Sequence, residues 1–282
     1  KINVEKNIID FQKAGEKETI KYDMSMAFNL LLTEVPDNTC TFKTMDEKVA
    51  TVNEKTGEVT AVATGTTFIK LYNKENNLYA AVKINVNGTQ GKIQPKIVGG
   101  YNHFVSLKSD GTVWASGYNG YGQLGNGTTT NSNEFVQVKD STGKGYLTDI
   151  IEIAANNCMT YALKSDGTVW AAGYNEYGQL GDSSTTNTSE FVQVTGIPEK
   201  VIAITAGGHS SYALTESGKV YGWGYNYEGQ LGRGSTSQNN PNATPQKMQK
   251  VSNIIQMSAG DNHIVMLDAD GTVWSTGHNY YG

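Results

Sequence analysis

At 282 residues the chain is long enough for two domains, and its 22 basic and 27 acidic side chains leave a net charge of −5. Only one basic residue, Arg233, is an arginine; phosphate recognition favours clustered guanidinium forks, so the composition excludes a nucleic-acid partner as an expectation. No apolar run approaches the roughly 20 residues that span a bilayer, and no membrane insertion is expected of this chain.

The chain opens on a strand-like pattern, Lys1-Ile2-Asn3-Val4, with neither an initiator methionine nor a signal peptide, and reads as a mature or excised piece. Residues 48–52 alternate apolar and polar, 53–57 turn, and 58–62 alternate again. Gly65 breaks the pattern, and strands follow at 67–72 and 79–86. Period-two patterning with turn residues about every ten positions predicts a β-sandwich over residues 1–88. The words Val49-Ala50-Thr51-Val52, Gly57-Glu58-Val59-Thr60-Ala61-Val62 and Ala63-Thr64-Gly65-Thr66-Thr67-Phe68-Ile69 resemble the bacterial immunoglobulin-like domain, group 2. The tryptophan that usually precedes the Val-Ala-Thr-Val strand is absent, and Phe42 is its nearest substitute. The resemblance implies a spacer or adhesive module on a secreted or surface-attached bacterial protein.

Composition shifts near residue 90: 28 of the 32 glycines and all four tryptophans lie beyond it. Residues 87–92 have linker chemistry, so the expected division is a sandwich at 1–88, a linker at 89–92 and a second region at 93–282. The two cysteines, Cys40 and Cys158, fall on either side of that boundary and are expected as separate thiols.

The second region repeats itself. Leu107-Lys108-Ser109-Asp110-Gly111-Thr112-Val113-Trp114-Ala115 returns unchanged at 163–171 and edited at 214–222 and 267–275. Its turn glycines Gly111, Gly167, Gly218 and Gly271 are 56, 51 and 53 residues apart. Each period holds four short strand patterns, with Ser-Asp-Gly as a hairpin signal, which predicts β-propeller blades and an all-β chain overall. The words Asp-Gly-Thr-Val-Trp, Gly-Tyr-Asn and Tyr-Gly-Gln-Leu-Gly (121–125, 177–181, and 228–232 with Glu for Tyr) are similar to the regulator of chromosome condensation repeat. Members of that family are usually seven-bladed propellers; they include an exchange factor for a small GTPase, chromatin binders and a secreted bacterial β-lactamase inhibitor. Residues 93–282 hold about three and a half periods and stop inside a motif at Tyr280-Tyr281-Gly282. An incomplete or truncated propeller is expected; the alternative is closure, with residues 93–107 and 268–282 sharing a fourth blade.

Repeated residues are first suspects for architecture. His103, His209 and His263 fall near equivalent positions in different blades, which suits hydrogen bonding better than a shared metal. Asp110, Asp166 and Asp270 sit in hairpins, not as converging acids, and no nucleophile elbow, phosphate loop or metal-binding pair is present. No enzyme activity, metal or cofactor is expected. The binding candidates are Tyr118, Tyr174, Tyr225, Tyr227, Tyr280 and Arg233, in or beside turns, whereas Tyr121 and Tyr177 are expected to pack inside their motif. The polar loops 126–133, 182–189 and 233–243 differ in length and sequence between repeats, as specificity-determining loops do. The expected function is non-catalytic: a secreted or cell-surface bacterial protein whose immunoglobulin-like spacer presents a propeller to a protein or glycan. The alternatives are self-association into a surface layer or fibre, and inhibition of a secreted enzyme such as a β-lactamase.

Overall fold

A computed structural model describes residues 3–4, 8–11, 17–19, 22–23, 41–62, 65–72, 78–86 and 93–280. Every regular element among them is a strand. Cys40, the linker 89–92 and Tyr281 lie outside the described residues. The chain divides into two compact units.

The N-terminal unit contains β1 (Asn3–Val4), β2 (Ile8–Phe11), β3 (Lys17–Thr19), β4 (Tyr22–Asp23), β5 (Thr41–Thr44), β6 (Ala50–Val52), β7 (Glu58–Ala61), β8 (Gly65–Tyr72) and β9 (Leu78–Val86). One sheet runs β2-β9-β8-β5, a second runs β3-β7-β6, and β1 pairs with β4. β2 lies parallel to β9, and the other pairs are antiparallel. Strict alternation turns one face of each sheet inward. Ile9, Phe42, Ile69, Leu71, Val82 and Ile84 from the first sheet meet Ala50, Val59 and Ala61 from the second in one core. Phe42 is fully buried there. The turn over it is closed by Asn53, whose Oδ1 accepts Lys55 N–H and Thr56 N–H at 3.0 Å each.

The C-terminal unit is a succession of antiparallel sheets, each a simple meander. The first holds β10 (Lys96–Gly99), β11 (His103–Leu107), β12 (Val113–Gly117) and β13 (Ser132–Gln137). The second holds β14 (Ile150–Asn156), β15 (Met159–Lys164), β16 (Val169–Gly173) and β17 (Thr188–Gln193). The third holds β18 (Val201–Ala206), β19 (Ser210–Thr215), β20 (Val220–Asn226) and β21 (Ser237–Lys247). The fourth has three described strands, β22 (Ile254–Ala259), β23 (His263–Asp268) and β24 (Val273–Gly277). Residues 93–107 therefore serve the first sheet and 268–280 the fourth, so the closed-blade alternative does not hold. Among the described residues no further strand follows β24 in its sheet, and Val273 is 66% exposed where its counterpart Val113 is buried.

The repeated words make the hairpins. Asp110 Oδ1 accepts Thr112 N–H at 3.0 Å and Thr112 Oγ1–H at 2.7 Å, and Trp114 Nε1–H reaches Thr112 Oγ1 at 3.1 Å. Asp166, Thr168 and Trp170 repeat the pattern. These hydrogen bonds, led by the Thr112 hydroxyl, hold the Asp110 carboxyl below the usual carboxylate range. The glycines that follow, Gly111, Gly167, Gly218 and Gly271, have φ of 81, 87, 76 and 86°.

The Gln-Leu-Gly words join one blade to the next. Gln123 is fully buried; its Oε1 accepts Tyr121 N–H at 3.1 Å, and its carbonyl accepts Thr160 Oγ1–H from the second blade at 2.7 Å. The Gln179 carbonyl accepts Tyr161 Oη–H at 2.8 Å, Ser211 Oγ–H at 3.0 Å and Trp223 Nε1–H at 2.7 Å, the last two from the third blade. Apolar cores fill the spaces between neighbouring blades, with Phe191 and Trp223 their bulkiest members.

Candidate functional site

Six tyrosines and one histidine form a continuous ladder across the first three blades, at the ends of the sheets away from the Asp-Gly hairpins. Each blade supplies two tyrosines. Tyr118, Tyr174 and Tyr225 follow the glycines Gly117, Gly173 and Gly224 of the inner hairpins, and their N–H groups are pinned to the carbonyls of Asn102, Cys158 and His209 at 2.8, 3.0 and 2.9 Å. Tyr121 and Tyr177 come three residues later, each held by its N–H to the glutamine of its own motif. In the third blade Glu228 takes that position and Tyr227 precedes it.

The ring contacts alternate within and between blades. Centroids lie 6.1 Å apart for Tyr118–Tyr121, 5.0 Å for Tyr121–Tyr174, 6.2 Å for Tyr174–Tyr177, 5.0 Å for Tyr177–Tyr225 and 6.1 Å for Tyr225–Tyr227. The first four pairs are edge to face and the last is stacked. His209 fits among Tyr174, Tyr177 and Tyr225 at 5.6, 5.4 and 6.3 Å. The short 5.0 Å steps are the ones that cross between blades, so blade packing sets the spacing of the ladder. Tyr118, Tyr121 and Tyr177 are 36, 36 and 38% exposed and Tyr227 is 44% exposed. Tyr121 and Tyr177 thus bridge blades and still show as much ring to solvent as Tyr118 does. Tyr280 is exposed in the turn after β24, where it stacks with His278 at 6.2 Å.

Acidic groups act on three members of the ladder, Tyr174, Tyr225 and His209. Tyr174 Oη–H donates to Glu176 Oε2 at 2.8 Å, and burial together with that carboxylate raises the Tyr174 hydroxyl above its ordinary pKa. Burial raises Tyr225 as well, with Tyr177 and Glu228 adding to it. Burial holds the His209 ring below its ordinary pKa, and Asp261 opposes that shift.

Three further residues belong to the scaffold beneath the ladder. Asn119, Asn175 and Asn226 are buried, and each accepts the leucine N–H of its motif at 2.8–2.9 Å. Asn119 Nδ2–H also donates to the carbonyls of Thr128 and Thr130, and Asn175 Nδ2–H to those of Ser184 and Thr186. Asn226 Nδ2–H likewise donates to the Ser235 carbonyl at 2.9 Å, so the loops 126–133, 182–189 and 233–243 are held alike, and the third runs into the longest outer strand, the 11-residue β21. Arg233 anchors that loop: its guanidinium donates to Asn242 Oδ1 at 2.7 Å and to the Gly222 carbonyl at 2.6 Å. The signal for the asparagines is the recurring Gly-Tyr-Asn word, whose third letter sequence reasoning passed over.

The histidines do not gather. His103 is 1% exposed at the interface of the first two blades, with Nε2 2.9 Å from Thr160 Oγ1. His209 Nε2 lies 3.1 Å from Asn157 Nδ2, and His263 is exposed on β23. Among the described residues no three His, Cys, Asp or Glu side chains could share a metal ion. Burial lowers His103 to about 4, against which the backbone groups of Met159 and Asn157 work only partly. An unfolded histidine titrates near 6.5. Above that pH both states are neutral and the interface keeps its full strength. Between about 6.5 and 4 the unfolded chain takes up a proton that the folded chain refuses, so stability falls with pH by about 3 kcal/mol. Urea unfolding at pH 7 and pH 4.5 should show that loss in the wild type and not in His103→Gln; equal losses in both would remove His103 as its cause.

Comparison with known proteins agrees with this geometry. The sequence model of the regulator of chromosome condensation (RCC1) repeat matches residues 110–163, 166–214 and 217–267, and a second model of the same repeat matches 96–123, 150–179, 201–230 and 254–282. The model of the bacterial Ig-like domain (group 2) matches residues 19–84. Among curated relatives, the human E3 ubiquitin-protein ligase HERC2 is 35% identical over 47% of this chain and 3% of its own length. The mouse regulator of chromosome condensation is 29% identical over 59% of this chain and 39% of its own. The chain thus spans well under half the length of these relatives. Among solved structures, yeast RCC1 (Prp20) bound to Kap60 superposes with a TM-score of 0.55 at 19% identity, covering 76% of this chain and 52% of that one. Human WBSCR16 gives 0.56 at 17% identity, covering 80% and 67%. With its four repeats carried on successive sheets, the chain belongs to the regulator of chromosome condensation (RCC1) repeat family and carries a bacterial Ig-like (group 2) domain before them.

Proposed function

We propose that this is a non-catalytic binding protein of the bacterial exterior, in which the immunoglobulin-like domain is a spacer and the propeller rim engages a macromolecular partner. The observation that carries the reading is the half-exposed tyrosine ladder. It places large, rigid, amphipathic rings side by side on a scaffold fixed by buried asparagines and glutamines, and such rings anchor interfaces at low entropic cost. Supporting it, one structural relative in the same family, the yeast protein, is described by its binding to Gsp1p and histones. The bacterial Ig-like domain supports the extracellular setting.

The test is capture from the extracellular fraction of the organism that makes the protein, with the full chain and with Tyr118→Ala/Tyr227→Ala. Those rings stand at the two ends of the ladder. Truncating an interface aromatic costs about 1–2 kcal/mol, so the pair should weaken capture by at least about tenfold. Equal capture by both proteins would defeat the reading. Copies of the chain joined to one another instead of to a second protein would favour self-assembly.

A further inference from the structure

Basic side chains are unevenly distributed between the two ends of the blades. Among the described residues three acids stand beside the ladder: Glu176, whose Oε2 accepts the Tyr174 hydroxyl at 2.8 Å, Glu228, which follows Tyr227 and acts on Tyr225, and Asp261, whose carbonyl accepts Gly208 N–H at 2.8 Å next to His209 and whose carboxylate acts on that ring. Glu176 and Asp261 are exposed, and Glu176 spends one carboxylate oxygen on Tyr174. The lysines whose place the strand register fixes lie toward the opposite end. Lys96 stands across from Leu107, Lys164 from Ile150 and Lys247 from Tyr221, while Lys108 and Lys219 flank the hairpin turns themselves.

From this juxtaposition of electron-rich rings and carboxylates that form no ion pair among the described residues, we infer that the ladder docks an extended basic peptide, one that lays arginine or lysine side chains on the tyrosines and against Glu176, Glu228 and Asp261. The inference rests on the ladder being a binding surface and adds the chemistry of the partner. A tyrosine face attracts a cation through its quadrupole, and a guanidinium can stack on the ring while donating to a nearby carboxylate. The rings run in a row across three blades, with the acids beside those of the second and third, which suits an extended chain with more than one basic residue. Burial keeps the His209 ring neutral at physiological pH, so no positive charge sits inside the surface to repel the peptide. A neutral glycan would use the same rings and have no need of the acids, which is what the experiment separates.

The full chain is titrated calorimetrically with hexa-arginine and, separately, with maltohexaose. Hexa-arginine should bind. Glu176→Gln/Glu228→Gln, which leaves the hydrogen-bonding shape of both side chains, should weaken it by about tenfold, in keeping with two partly exposed charge contacts. Tyr227→Ala should weaken it by about threefold to fivefold. Lys108→Gln, at the hairpin end, should leave it unchanged. Binding of hexa-arginine that ignores both ladder variants would be diffuse attraction to an acidic protein and would overturn the inference. Ladder-dependent binding of maltohexaose without hexa-arginine would also overturn it while sparing the reading of the ladder as a binding surface. Binding of neither probe, with capture still lost in Tyr118→Ala/Tyr227→Ala, would have that same meaning.

Discussion

Gly224→Ala is expected to destabilise the propeller unit by about 4 kcal/mol, the sum of roughly 1–3 for a strained backbone and roughly 1–3 for overpacking. Gly224 has φ of 93°, where an L side chain is strained. A methyl group there would stand 2.5 Å from the His209 carbonyl oxygen and 3.1 Å from Gln179 Cβ of the neighbouring blade. Neither neighbour can yield: one is the backbone of the paired strand, the other the buried motif that joins the blades. Gly271→Ala serves as the control. Its φ is 86°, yet nothing lies within 4 Å of the added carbon, so strain alone remains, about 1–2 kcal/mol. In thermal unfolding the first substitution should lower the midpoint of the unit by about ten degrees and the second by only a few. Equal shifts would mean that the close approach between blades contributes nothing.

The second large effect is at Trp223. This ring is fully buried between the second and third blades, and its Nε1–H donates to the Gln179 carbonyl at 2.7 Å. Trp223→Ala removes the bulkiest buried side chain of that interface and should cost about 3–5 kcal/mol. Trp223→Phe keeps most of the volume and loses the donor. The Gln179 carbonyl still receives Tyr161 and Ser211, so the cost should be about 1–2 kcal/mol. Urea unfolding followed by circular dichroism reads both. A loss for Trp223→Phe as large as that for Trp223→Ala would assign the effect to the hydrogen bond and not to packing.

Trp223 also shows where the sequence misleads. Four tryptophans in four repeats look equivalent. Three of them, Trp114, Trp170 and Trp274, lie three residues after the hairpin glycine, and Tyr221 holds that place in the third repeat. Trp223 lies two residues further on, at the position of Ser116 and Ala172, and points into the interface with the second blade instead of lying over its hairpin. Counting from Gly218 reveals the offset; counting tryptophans does not. The hairpins themselves were legible because Asp-Gly-Thr is a local device whose hydrogen bonds span two residues. Phe42 was legible through resemblance, as the large ring nearest the tryptophan position that precedes the Val-Ala-Thr-Val strand. The tyrosine ladder was legible only in part. Its members recur in the motif, but their 5.0 Å steps join residues more than 45 apart in the chain and arise from how one blade stacks on the next. Tyr121 and Tyr177 were expected to be packing residues, and the same rings that bridge the blades also face solvent, because an edge-to-face contact covers only one side of each ring. Arg233 was expected among the binding residues, and its guanidinium is turned inward onto Asn242 and Gly222. A charged residue in a polar loop gives no local sign of such an inward bond.

Photo-cross-linking at single positions separates a binding ladder from a merely structural one. Benzoylphenylalanine placed at Tyr227, on the ladder, should yield a discrete cross-linked partner in the extracellular fraction of the source organism. The same group at Thr112, in a hairpin at the other end of the first blade, should yield none. A partner captured equally at both positions, or at Thr112 alone, would contradict the assignment of the tyrosine ladder as the surface through which this protein binds.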